Sequence, residues 1–142
     1  MFDTVLVPVQ QGRGSDRAVE TAVGVAAAFG ATLHALAVID RPRVLRGGVA
    51  ADGSPEGADA SLETTAAEAL DAAVEAAERA DVEAVGRVRS GVPFRETLAH
   101  AEEAGADVVV VASEGAREAS RRGEFDAARV VGEADCSVLV AD

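Results

Sequence analysis

The sequence predicts an α/β domain built on a five-stranded parallel sheet with helices on both faces. Five short apolar runs are separated by longer segments in which apolar residues recur at helical spacing. The runs are nearly continuous in valine, leucine and alanine, which is typical of strands buried on both faces. Strands that alternate with helices favour right-handed crossover connections. The 142 residues suffice for a single domain, 1–142, of this kind.

The first half of the chain predicts two strands, two helices and a long loop. The first strand is expected at 4–9, and Ser15 is predicted to be the N-cap of a helix that ends at Gly30. The second strand is expected at 33–39. The segment 40–60 contains several glycines and two prolines and has no sustained apolar period, which predicts a flexible surface loop.

The helix after this loop is predicted to begin at Ser61. Its apolar side chains recur on one face, and its carboxylates should face water. The residues expected inside are Leu62, Ala66, Ala69, Leu70, Ala73, Val74 and Ala77, and those expected outside are Glu68, Asp71, Glu75 and Glu78.

The third strand is predicted at 82–88 and is followed by a helix. Pro93 suits the first turn of that helix, and Gly105 is a typical residue to end it. Its buried stripe is predicted to be Phe94, Leu98 and Ala101.

The last third of the chain predicts two strands joined by a helix. The fourth strand, 107–112, contains four consecutive valines, which leave no solvated face. The last helix is expected at 124–134, and the fifth strand at 137–141. The residues predicted to face inward from this helix are Phe125, Ala128 and Val131.

The charge of the chain is strongly acidic, with a net charge of −12. All 13 basic residues are arginine, and 25 residues are acidic. Such a surface repels nucleic acid and anionic membranes, and without an apolar run of membrane-spanning length we expect a cytoplasmic protein. An acidic, lysine-free composition also resembles that of proteins from extreme halophiles.

The cysteine and histidine content argues against a disulfide bond within the chain and against a metal site. A single cysteine, Cys136, excludes an internal disulfide and a cysteine-based zinc site, and it is expected to be a small buried hydrophobe. His34 and His100 are far apart in sequence, so no metal site is expected. His34 is interpreted as a packed or edge residue of the second strand.

Any ligand should bind at the carboxyl ends of the strands. In open parallel sheets the loops that follow the strands meet at this edge, and ligands bind where the strand order reverses. The loops in question begin near Pro8, Ile39, Ser90 and Ala112.

Four stretches carry a resemblance that covers essentially the whole chain. They are "VLVPV", "GATLHALAVID", "GVPFRETLAHAEEAGADVVVVAS" and "RVVGEADCSVLV", and they resemble the universal stress protein family. The resemblance implies a Rossmann-like sandwich of the adenine nucleotide alpha hydrolase type, a homodimer formed by the final strands, and no well-established catalytic role. One branch of the family binds ATP, and another lacks the nucleotide signature.

The chain departs from the ATP signature in its fourth loop. The resemblance implies that the ATP branch carries Gly-x-x-Gly after the strand and Gly-Ser or Gly-Thr at the start of the last helix. Backbone amides and the helix dipole favour phosphate there. The first glycine falls on Ala112, and the second is kept as Gly115. The closing pair falls on Glu124-Phe125 or Phe125-Asp126, depending on the alignment.

The first loop departs as well. The resemblance implies that the ATP branch carries Pro-x-Asp after the first strand, whereas this chain has Pro8-Val9-Gln10. A glutamine still forms hydrogen bonds but has lost the charge of the aspartate.

A carboxylate in a phosphate-binding loop opposes the ligand. Two like charges ~4 Å apart repel by about 4 kcal/mol at an effective dielectric constant of 20, which exceeds what two or three amide contacts contribute. Gly123 could serve as a displaced third glycine. Arg117, Arg121 and Arg122 could clamp an anion, or they could pair locally with neighbouring carboxylates.

These departures favour a non-enzymatic universal stress protein without the standard ATP signature, with no cofactor, that acts in stress response through dimerisation and protein or small-ligand interaction. The alternative is an ATP- or AMP-binding protein with an altered phosphate loop. The tentative nucleotide-binding residues are Pro8, Val9, Gln10, Gln11, Val38, Gly91, Ala112, Ser113, Gly115, Arg117 and Asp126. An ATPase, the third hypothesis, would require Asp40 or Asp126 to act as a base or metal ligand.

The last strand is the candidate dimer interface. The run Val138-Leu139-Val140 contains no charge that would prevent edge-to-edge pairing. We therefore expect two copies of the chain to pair along it.

Overall fold

A computed structural model describes residues 2–10, 13–39, 55–113 and 127–141. They form one five-stranded sheet in which every pairing is parallel and the order is β3-β2-β1-β4-β5. The strands are β1 (Thr4–Pro8), β2 (Thr32–Ile39), β3 (Ala84–Ser90), β4 (Val108–Ala112) and β5 (Ser137–Ala141). The helices within the described residues are α1 (Arg13–Phe29), α2 (Pro55–Arg79), α3 (Pro93–Ala104) and α4 (Ala127–Glu133). The predicted fold class is confirmed.

Helices cover both faces of the sheet, and alternate residues of each strand serve the two faces. On β2, Leu33 faces a large core shared with α1 and α2, whereas Leu36 faces a smaller core shared with α3 and α4. Both leucine side chains are completely buried. Valine and alanine supply most of both cores, as the scarcity of aromatic residues in the sequence requires.

Helix α2 begins at Pro55, six residues earlier than the sequence analysis predicts. The fixed φ of proline and its missing amide donor suit the first turn of a helix, so Pro55 starts this helix rather than belonging to the loop. The prediction of a loop to residue 60 is therefore wrong for 55–60. Residues 40–54 lie outside the described part of the chain.

Strand β3 begins at Ala84, two residues later than predicted, and it extends to Ser90. Asp81 adopts a left-handed conformation, with φ of 58°, and the Val82 amide donates to the Ala77 carbonyl over 2.8 Å. This turn folds Val82 back against the end of α2, where its side chain is buried. The apolar valine thus closes a helix instead of opening a strand.

The inward face of α4 also differs from the prediction. Val130 is completely buried, whereas Val131 is 52% exposed and Ala128 is exposed. Val130 joins Val109 and Val111 in the smaller core. Because two valines stand side by side in the sequence, the helical period alone did not show which of them faces the sheet. Phe125 lies outside the described residues.

Ser15 is not the N-cap of α1, because the helix begins at Arg13. Its hydroxyl oxygen instead accepts a hydrogen bond from the Gln10 amide at 3.0 Å. The predicted termini of α3 are confirmed: Pro93 lies in the first turn, and Gly105 ends the helix with φ of 66°.

Candidate functional site

The strand order reverses between β1 and β4, so the carboxyl ends of these two strands form the expected ligand-binding edge. Val5 lies opposite Val108, and Leu6 lies opposite Val109. If this register is continued, Gln10 after β1 lies level with Ser113 after β4. The structure therefore brings Gln10 and Ser113, where the predicted first and fourth loops begin, to the same edge of the sheet.

The end of β1 is held by backbone hydrogen bonds. The Val9 amide donates to the Leu36 carbonyl over 2.8 Å, and Val9 is buried. The Gln10 amide donates to the Ser15 hydroxyl, while the Gln10 side chain is exposed. Among the described residues, the Gln10 amide at the start of the first loop is thus already bonded within the protein.

The turn after β3 places a carboxylate at the same edge. The Gly91 amide donates to the Ile39 carbonyl over 2.9 Å, and the φ of Gly91 is 144°. A Cβ atom at Gly91 would lie only 2.7 Å from an oxygen of Glu96. Glu96 is fixed there by the Arg89 side chain, whose Nε lies 2.9 Å from the other carboxylate oxygen. Glycine is favoured at this turn because side chains rarely adopt this φ, and a Cβ atom would also force the Glu96 side chain to move.

The remaining predicted site residues fall into two groups. Pro8, Val38, Ala112 and Ser113 are half-buried at or near the carboxyl ends of β1, β2 and β4. The others, together with both alternatives for the closing glycine and the candidate catalytic aspartates, lie outside the described residues: Gln11, Asp40, Gly115, Arg117, Arg121, Arg122, Gly123, Glu124, Phe125 and Asp126.

A groove of about 500 Å³ runs between α1 and α2 and begins at Gln10. Alanines of α2 form one wall, and the charged side chains along it are Asp16, Glu20, Glu68 and Arg79. Three carboxylates and one guanidinium disfavour an anionic ligand in this groove. A phosphate would be accommodated better at the strand ends than between the two helices.

Sequence reasoning missed the contact between the two histidines. His34 on β2 and His100 on α3 pack with their ring centroids 5.8 Å apart. Burial lowers the pKa of both rings, and the positive charge of Arg87 lowers the pKa of His34 further. The spacing of Glu96, His100 and Glu103 at i, i+4 and i+7 places these three residues on one face of α3, but no sequence signal points to His34 as a neighbour.

Cys136 and the last strand match their predicted environments in part. Cys136 is half-buried, and burial raises the pKa of its thiol, which keeps it in the neutral form. On β5, Leu139 is 36% exposed and Val140 is 50% exposed, whereas Val138 is half-buried. The strand is an edge of the sheet with apolar side chains in contact with water.

Neither a metal-binding cluster nor a membrane-spanning helix is present in the part of the chain that the structure describes. It contains no cluster of three or more histidine, cysteine, aspartate or glutamate side chains suited to a metal ion. None of its helices has the length and apolar character needed to span a membrane.

The strand order and the helices on both faces define the class of the protein, which is a Rossmann-like α/β sandwich. The chain belongs to the universal stress protein family, whose sequence model matches residues 1–142. No curated protein matches the chain significantly.

Solved structures of the family share the fold. A universal stress protein family member from Burkholderia pseudomallei is 20% identical, with a TM-score of 0.79, and the match covers 98% of this chain and 95% of the other. A universal stress protein from Archaeoglobus fulgidus in complex with dAMP is 16% identical, with a TM-score of 0.70 and coverage of 100% and 98%. A universal stress protein in complex with cAMP is 22% identical, with a TM-score of 0.70 and coverage of 99% and 96%.

Proposed function

We propose that this chain is a non-enzymatic, homodimeric universal stress protein that lacks the standard ATP site and acts through interaction with a protein or a small ligand. The observation that carries this proposal is the chemistry of the candidate ligand edge. Gln10 replaces the carboxylate that the ATP branch places after β1, and the Gln10 amide is bonded to Ser15. Both features of Gln10 remove a contact that the ATP signature would offer to a nucleotide.

Titration of the purified protein with ATP in an isothermal calorimeter, at molar KCl, tests this proposal. We expect no binding in the micromolar range. The variant Gln10→Asp is a useful comparison because it restores the Pro-x-Asp pattern without changing the fourth loop. If the wild-type protein binds ATP with micromolar affinity, the proposal is wrong.

The homodimer is supported by the apolar edge of β5. Within the described residues β5 pairs with β4 alone, and its exposed Leu139 and Val140 offer a self-complementary strand. Sedimentation velocity at micromolar concentration should show a dimer. Val140→Lys should produce a monomer, whereas Val131→Lys, at an exposed valine on α4, should not. A wild-type monomer at this concentration would refute the pairing.

The alternative function is binding of an adenine nucleotide with a single phosphate. Two structural relatives are in complex with cAMP and with dAMP. A single phosphate carries less charge than a triphosphate, so it suffers less repulsion from the acidic residues of the fourth loop. Mass spectrometry of the denatured, freshly purified protein would detect a co-purifying nucleotide, and calorimetry with AMP would measure its affinity.

We propose no catalytic role for the chain. An ATPase would need a base or a metal-binding carboxylate near the nucleotide, for which Asp40 and Asp126 are the candidates in the sequence. We expect no phosphate release above background from ATP. Steady phosphate release that Asp126→Ala abolishes would overturn this expectation.

A further inference from the structure

The two histidines pack against each other between the sheet and α3, with His100 buried and His34 half-buried. His100 is 8% exposed, and its Nε2 is buried without a hydrogen-bond partner. The Nδ1 of His34 is also buried and also lacks a partner. The rings are tilted by 52° relative to each other at a centroid separation of 5.8 Å. A neutral imidazole tolerates this environment, but an imidazolium has lost its water and faces a second ring that takes up protons in the same pH range.

The charged groups around the pair make protonation still less favourable. In the sheet, His34 lies level with Leu6 on one side and Val85 on the other, so β1 contributes no charge at this level. From β3, Arg87 and Arg89 act on the rings, and the positive charge of each lowers the pKa of His100. From α3, Glu103 acts in the opposite direction, but this carboxylate already binds Arg89 at 2.7 Å.

Arg89 connects the histidine pair to the candidate ligand edge. Its guanidinium binds Glu103 near the end of α3 and Glu96 in the first turn, with His100 between them on the same face. Glu96 in turn lies against Gly91. A change that separates α3 from β3 therefore changes the support of the turn at the ligand edge.

We propose that the His34–His100 pair is an acid-sensitive latch: protonation loosens α3 from β2 and β3 and thereby displaces the Gly91 turn. Protonated His100 repels Arg89 and competes with it for Glu103, which lies three residues further along the same helix. The displacement of α3 stands on its own. Its effect on a bound ligand rests on the proposed nucleotide alternative.

The direction of the pH effect follows from the burial of the rings. Because the pKa of each histidine is lowered in the folded protein, the folded state binds fewer protons than the unfolded state once the pH falls below 6.5. The stabilising effect of the closed latch is complete above pH 6.5. It is lost as the pH falls through the lowered pKa values.

The wild-type protein allows a direct test, because the chain contains only two histidines. An NMR titration of the imidazole signals should show both rings titrating below 6.5. Hydrogen exchange, corrected for the intrinsic pH dependence, should show several-fold faster exchange of α3 amides and of the Gly91 amide at pH 5.0 than at pH 7.5. Amides of α1, on the opposite face, serve as the internal reference and should keep their protection.

Two variants separate the latch from general acid instability. Arg87→Gln removes an exposed positive charge, so the pKa of His34 should rise and the exchange response should begin at a higher pH. The double variant His34→Leu/His100→Leu has no imidazole to protonate, so its α3 amides should exchange equally at both pH values. If the double variant does not fold, the titration and exchange of the wild type and of Arg87→Gln decide the question.

Three outcomes would overturn the latch: histidines that titrate at or above 6.5, α3 amides that keep their protection at pH 5.0, or loss of protection that is equal in α1 and α3.

The effect of the latch on a bound ligand is measured separately, by calorimetry with AMP at both pH values. If AMP binds at pH 7.5, its affinity should fall several-fold at pH 5.0 in the wild type but not in the double variant. If AMP binds at neither pH, the nucleotide alternative fails while the exchange data still decide the latch.

Discussion

The two faces of the sheet are built from the same strands but differ in chemistry. Helices α1 and α2 close a large core whose described buried members are all apolar. Helix α3 closes the other face with a smaller apolar core plus the buried polar side chains Thr97 and His100. The Thr97 hydroxyl is satisfied by the Pro93 carbonyl at 2.8 Å, whereas the histidines hold unpartnered nitrogens. The first face therefore supplies stability, and the second carries the groups that respond to their surroundings.

The largest expected difference between the faces comes from two leucines of β2. Leu33→Ala should destabilise the fold by about 4 kcal/mol, and Leu36→Ala by about 3 kcal/mol, because we expect a cavity in the larger of the two buried clusters to collapse less readily. Urea denaturation of both variants measures the difference. An equal or reversed order would contradict the expectation that the larger cluster relaxes less around a cavity.

Gly91 tests the start of α3. Gly91→Ala should cost about 2–3 kcal/mol, since the new methyl group meets Glu96 in a conformation that side chains avoid. Gly105→Ala is the matched control: its φ is also positive, but open space surrounds it, so about 1 kcal/mol is expected. Adding Glu96→Ala to Gly91→Ala should recover part of the loss in thermal denaturation. If the two glycine variants are equally stable, Glu96 does not restrict the turn.

Adjacent valines of α4 test how this short helix contacts the second face. Val130→Ala removes completely buried methyl groups and should destabilise by about 1.5 kcal/mol. Val131→Ala alters a half-exposed side chain and should change stability by less than about 0.5 kcal/mol. Denaturant titration distinguishes the two. Equal losses would mean that α4 is rotated relative to the sheet.

The smallest effect is expected at Arg89. Its ion pairs with Glu96 and Glu103 are partly exposed to solvent, so Arg89→Gln should weaken the fold less than any of the buried substitutions above. The difference from wild type should vanish at molar salt, where the Debye length is about 3 Å. Arg95→Gln, an exposed position on α3, controls for the loss of charge. A loss that persists in molar salt would point to packing by the arginine stem instead.

Much of the fold was predictable because its signals are local. The four valines of β4, the proline and glycine that bound α3, and the carboxylates on the outer face of α2 each depend on residues close in sequence. The errors occurred where two readings were locally equivalent. Val82 is as suited to a turn as to a strand, and the helical period does not choose between Val130 and Val131.

The candidate site was predictable in part. The rule that parallel strands bring their following loops to one edge placed Gln10, Gly91 and Ser113 correctly, because it depends only on topology. The contribution of Glu96 to this edge was not predicted. It depends on the orientation of a helix side chain toward a turn and on an arginine from β3, neither of which the sequence reports.

The sequence by itself determined the family, the alternation of strands and helices, and the acidic charge of a chain whose basic residues are all arginine. These follow from periodicity, motif and composition, which are properties of the linear chain. Only the tertiary structure decided that His34 meets His100 and that Arg89 spans Glu96 and Glu103. Such contacts arise when a helix crosses a sheet at a particular angle and register, and the packing of the whole core sets that geometry.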